Sequence, residues 1–117
     1  MRADLWQQLP SLVEARAEAS AVVLGESLYV FGGMTLTNQT EFVPLRTIER
    51  LNLKGSLSQR DAFAFTTIDL KLPFAVANIG ILPVSQTEVL LIGGFAENGE
   101  VSDKKLRFTV VPCQSLS

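Results

Sequence analysis

An all-β fold built from two related antiparallel sheets is what this sequence predicts, and three observations predict it. The stretch Leu28-Tyr29-Val30-Phe31-Gly32-Gly33 returns as Val89-Leu90-Leu91-Ile92-Gly93-Gly94, with Gly33 and Gly94 61 positions apart. Each copy is an apolar run of strand length closed by a glycine pair, and each follows a second apolar run across a short turn. That is the pattern of a β-hairpin. The stretch with helical propensity, residues 13–19, is too short to be stable alone, since isolated helices under about 12 residues are marginal. Internal repetition therefore decides the fold ahead of local propensity.

Taken in order, Trp6-Gln7-Gln8-Leu9-Pro10 reads as a short strand ended by a proline, which has no N–H to continue a ladder. Residues 13–19 lead as a connector into a strand at 20–24. Gly25-Glu26-Ser27 is a turn, and 28–31 is the returning strand, closed by Gly32 and Gly33. Residues 34–43 are polar and rich in Thr and Asn, hence a surface loop. In 46–53 the apolar Leu51 is offset from Ile48 by three, which a strand with a bulge explains. A loop at 54–61 precedes a strand at 63–70, rich in aromatic and β-branched residues. Leu72-Pro73 closes it as Leu9-Pro10 closes the first. Strands follow at 76–82 and 88–92, separated by a turn at 83–87. Asn98-Gly99 marks a turn, and 105–110 alternates as a last strand. The tail 112–117 is expected to fray.

Composition limits function. The 117 residues, 47% apolar and 19% charged, are globular in character and enough for one domain with a modest core. A net charge of −2 gives no footprint for nucleic acid or an anionic membrane. The nearest basic cluster, Lys104, Lys105 and Arg107, reads as a solvated strand face. No apolar run approaches the roughly 20 residues that span a bilayer, and no apolar leader stands at the start. One cysteine, Cys113, excludes an intrachain disulfide. These features lead to an expectation of a cytoplasmic protein. There is no histidine, which removes the usual general base and the commonest metal ligand.

The repeated order resembles the kelch repeat of β-propellers. An aromatic strand, a Leu-Pro, an arginine, an apolar strand, a turn and an apolar strand ending in Gly-Gly stand in that order. The first copy carries Trp6, Leu9-Pro10, Arg16, Ser20, the run to Gly32-Gly33, and Ile48-Glu49-Arg50-Leu51. The second carries Phe65, Leu72-Pro73, the run to Gly93-Gly94, and Leu106-Arg107-Phe108. It departs from the first in lacking the arginine, with Phe74, Ala75 and Val76 standing there instead. The resemblance implies two four-stranded antiparallel blades, with the glycine pairs, Trp6 and Arg16 as architecture. The expected division is residues 10–70 for the first blade, 71–112 for the second, and 4–9 as the outer strand of a neighbouring blade, all within one unit spanning 1–117.

Two blades cannot close a ring, since propellers use about four to eight. The second strand set lacks its outer strand, and the chain begins with a surplus strand of that kind. Head-to-tail association of three or four chains is therefore expected, each N-terminal strand completing its neighbour's blade. A place in a larger assembly, or origin as a piece of a longer repeat chain, is the competing expectation.

Catalytic readings find little support. Neither glycine pair has the G-x-G-x-x-G or phosphate-loop spacing. The carboxylate pairs Glu97/Glu100 and Glu14/Glu18 fall in loop or connector segments, where solvated surface is expected rather than a raised pKa. Asn98-Gly99-Glu100 lacks the spaced oxygens of a calcium loop. Copper chemistry of the kind used by some kelch-like enzymes is implausible with no histidine and a single tyrosine, Tyr29, in a predicted strand. The sequence thus points to a non-catalytic protein-interaction or assembly module without a cofactor, with protein partners and not nucleic acid or membrane. A propeller enzyme acting on a glycan or sugar acid, or a truncated repeat, is the alternative. Candidate contact residues are Arg46, Arg60, Phe42 and Phe95, because loop-borne aromatic and arginine side chains dominate binding hot spots.

Overall fold

The computed structural model describes residues 5–38, 40–54, 63–96 and 100–110. Among them the fold is all-β, with eleven strands, no helix and four antiparallel sheets that close into no barrel. Among the described residues no helix is long and apolar enough to cross a membrane.

The first large sheet contains β1 (Ser20–Leu24), β2 (Ser27–Phe31), β5 (Ile48–Asn52) and β6 (Thr66–Thr67), in the order β1-β2-β5-β6. The second contains β8 (Gly80–Pro83), β9 (Glu88–Ile92) and β11 (Lys105–Thr109), in the order β11-β9-β8. Two small sheets accompany them. β3 (Met34–Thr37) pairs with β4 (Glu41–Pro44), and β7 (Val76–Ala77) with β10 (Phe95–Ala96).

The apolar run of β2 is covered on both faces, which removes the usual alternation, whereas β1 and β9 leave Val23 and Ile92 exposed on one face. This also corrects the expected bulge. β5 pairs with β2 residue for residue, from Phe31 with Ile48 to Ser27 with Asn52. Ile48 and Leu51 lie on opposite faces, both fully buried, so their spacing of three needs no extra residue.

Other expectations are corrected as well. Residues 34–43 form the β3–β4 hairpin rather than a loop. Thr35, Thr37 and Val43 favour extended backbone, and Asn38 takes the left-handed turn conformation at φ 50°. The Thr37 hydroxyl donates to the Glu41 carbonyl at 3.1 Å across the hairpin. The strand expected over 63–70 is reduced to Thr66–Thr67. After the Ile68 N–H donates to the Ile48 carbonyl, the chain turns away, and the Leu72 N–H is taken by the Arg46 carbonyl. The strand expected over 76–82 is split into β7 and β8 by Asn78, at φ 54°. Trp6 to Pro10 is no strand, since a strand exists by pairing and no described strand lies against it. Asn98, Gly99, Cys113 and the tail lie outside the described residues, as does most of the 54–61 loop.

The core lies between the two large sheets. Val22, Leu24, Tyr29, Phe31 and Ile48 of the first pack on Val89, Leu91 and Phe108 of the second, with Leu72, Val76 and Ile79 between. Each such side chain contributes about 1.5–3 kcal/mol on full burial. Tyr29, Phe31 and Phe108 form an aromatic trio in which Phe108 meets both rings edge-on, at 5.3 and 5.1 Å between centroids. Pairs of this kind add about 0.5–1.5 kcal/mol each. Backbone bonds sew the sheets together: Gly33 N–H to the Val76 carbonyl at 3.0 Å and Asn78 N–H to the Glu18 carbonyl at 2.8 Å.

Candidate functional site

Two features of the fold can engage something outside it: the unpaired segment before residue 12, and the open side of the second sheet. A buried ion pair fixes the first. The Arg16 guanidinium lies at the inner end of the first sheet, its side chain 1% exposed. It donates to the carbonyls of Gly32 and Thr47 at 2.8 and 3.1 Å, to the Thr47 hydroxyl at 2.9 Å and to Glu49 at 2.7 Å. Glu49 is fully buried on β5. Its carboxylate also accepts the N–H groups of Val13 and Glu14 at 2.7 and 3.0 Å. The Arg16 Nε donates to the Glu14 carbonyl at 3.4 Å, so every hydrogen-bonding direction of Arg16 goes to the fold. Glu49 was not among the sequence candidates, although a carboxylate between the apolar Ile48 and Leu51 of a strand that also carries Arg50 is a readable signal.

Ahead of this clamp, Leu5, Trp6 and Leu9 are exposed, Trp6 completely. At the other end, β11 pairs only with β9, which leaves its outer edge open among the described residues. An apolar cavity of about 160 Å³ runs beside this edge, lined by Leu70, Leu72, Leu91, Leu106 and Phe108 among others. An edge strand with an adjoining apolar slot is the arrangement used in strand addition, where main-chain bonds give affinity and pockets receive alternate side chains.

The four sequence-derived contact residues do not converge. Arg46 is exposed, and its Nε donates to the Leu72 carbonyl at 2.9 Å. It lines an open groove of about 630 Å³ with Phe74, Ser102, Asp103 and Lys104. Mixed charges there select no ligand class. Phe42 stands on β4 opposite Leu36, both exposed. Phe95 stands on β10 and bridges to Val101. Arg60 lies outside the described residues. Among the described residues, no group of three or more His, Cys, Asp or Glu could hold a metal ion.

No family model matches the chain, and no curated protein does. Solved structures do match. One titled "Structure of YjhT" is similar with a TM-score of 0.57 and 18% identity, over 71% of this chain and 22% of that one. The likeness is one of fold, and this chain spans 22% of that chain's length.

Proposed function

We propose that the chain is a non-catalytic assembly and protein-interaction module of kelch-like blades, completed by head-to-tail association with copies of itself. One observation carries the reading. Among the described residues the first sheet has four strands and the second three, while the segment at residues 5–10, with Leu5, Trp6 and Leu9 exposed, pairs with no described strand. Within the chain, β6 forms the outer strand of the first sheet, and the connector that follows it leads into the second. The segment at 5–10 precedes the connector into the first sheet in the same way. It therefore suits the open edge of β11 in another copy. Heterologous contacts of this kind close into rings where the rotation fits, with three copies giving six blades and four giving eight. Native mass spectrometry of the purified chain, over a range of concentrations, tests the reading. A trimer or tetramer is the expected result; a monodisperse monomer throughout overturns it.

A further inference from the structure

We propose that the outer face of the second sheet, carrying Leu82, Leu90 and Ile92, docks on the first sheet and entering connector of a second copy, repeating a contact the chain already makes within itself. This rests on the assembly reading and specifies its interface.

The two sheets are related position by position. Ser20 pairs with Phe31 as Gly80 pairs with Ile92. Phe31 faces Ile48 as Ile92 faces Lys105. The connectors match as well. Ala17 bridges to Met34 as Ala77 pairs with Phe95, and Glu18 and Asn78 both have φ 54°. Each sheet therefore has one face of each type, and the internal contact mates one type with the other. One face of each type is left without a mating sheet, although on the first sheet's outward face Val30, Glu49 and Leu51 are already buried within the chain and Val23 of β1 stays exposed.

Burial shows what is missing. Val22 and Phe31 are 9% and 1% exposed, whereas their counterparts Leu82 and Ile92 are 52% and 43% exposed. On the opposite side the asymmetry reverses. Ala75 and Ala77 of the second connector are buried, while Ala15 and Ala17 of the first are exposed. A side chain on Gly32 would strike the Val76 carbonyl, but one on Gly93 would meet nothing nearer than the Ser102 carbonyl at 3.5 Å. The space beside Gly93 is where a connector would lie.

The repeat identifies the occupant as another copy. Ile48 and Leu106 line one cavity between the sheets, and their counterparts are Lys105 and Glu49. Glu49 is fully buried and committed to its own connector. The surface left for a neighbour is therefore Val23 of β1 with Ala15 and Ala17 of the connector, all exposed. The face that matches it, through the contact already made inside the chain, is that of Leu82 and Ile92 in a second copy.

The test uses Leu82→Asp and Ala17→Asp in the full chain, both at exposed positions, with circular dichroism to verify folding. Each disables a different side of the contact. At a concentration where the wild-type chain is fully assembled, each variant alone is expected to remain monomeric. Mixed in equal amounts, they are expected to form a heterodimer through the one intact pair of faces, which also shows that both are folded. Full assembly of either folded variant, beside an assembled wild type, overturns this contact and leaves the assembly reading standing. Dissociation of each variant without heterodimer formation on mixing overturns the head-to-tail geometry. A wild-type chain that never assembles removes both proposals.

Discussion

The two large sheets share a strand plan but hold their entering connectors by different forces. The second sheet's connector is held by burial, with Leu72, Ala75, Val76 and Ala77 all inside. The first sheet's connector has Ala15 and Ala17 exposed and is held instead by Arg16 and Glu49. Where the second sheet has Leu106, the first has Glu49. One backbone plan thus accepts either an apolar anchor or an electrostatic one. Charge is used where a neighbouring sheet is not there to supply burial.

Replacing Glu49 by leucine, the residue at the matching position, breaks the contrast most sharply. Arg16 would stay buried with only the more distant, half-exposed Glu14 carboxylate at 3.8 Å, a loss of about 3–5 kcal/mol. Urea unfolding of the variant is expected to show that loss as a lowered midpoint, the free-energy difference divided by the m-value. Arg16→Met combined with Glu49→Leu should cost less than the two single losses added together, by about 0.5–3 kcal/mol. Simple additivity would show that the two groups do not act as a unit.

A smaller effect separates the glycines. Gly32 and Gly93 both have positive φ, where a side chain costs about 1–2 kcal/mol. Gly32→Ala adds the collision with the Val76 carbonyl, so it should destabilise more than Gly93→Ala in thermal melts of the monomer. If the gap closes in the assembled form, Gly93 has acquired a neighbour of its own. The least effect is expected on the small hairpin. Phe42→Ser should leave stability within about 0.5 kcal/mol, since Phe42 is 59% exposed. A larger loss in the melting experiment would mean that Phe42 is covered in solution.

Much of the fold was legible because its central strands are apolar runs of strand length broken by turn residues, whether covered on both faces as in β2 or on one as in β1 and β9. The expected strands at 20–24, 28–31 and 88–92 coincide with β1, β2 and β9 within a residue. The β3–β4 hairpin was not legible, because its stability lies in cross-strand pairing of threonines that composition alone assigns to a loop. The clamp was half legible. Arg16 stood out through the repeat, but Glu49 is identified only when β5 is seen to be covered on both faces. Phe42 and Phe95 stood out by residue type, yet nothing in their spacing said that the fold would keep them apart. Trp6 read as a strand residue, and whether it has a partner depends on what lies beyond one chain.

The clamp also sets an order in time. Glu49 receives the N–H groups of residues 13 and 14, which leave the ribosome well before residue 49 does. Synthesis runs at about 5–20 residues per second, so the early segment waits seconds for its anchor. The β1–β2 hairpin closes through neighbours and can form meanwhile, since local contacts form fastest. The connector made before β5 is therefore placed only when β5 arrives. Until β5 emerges, Val13 and Glu14 have no anchor, and the apolar side chains of Trp6 and Leu9 hang from an unplaced connector.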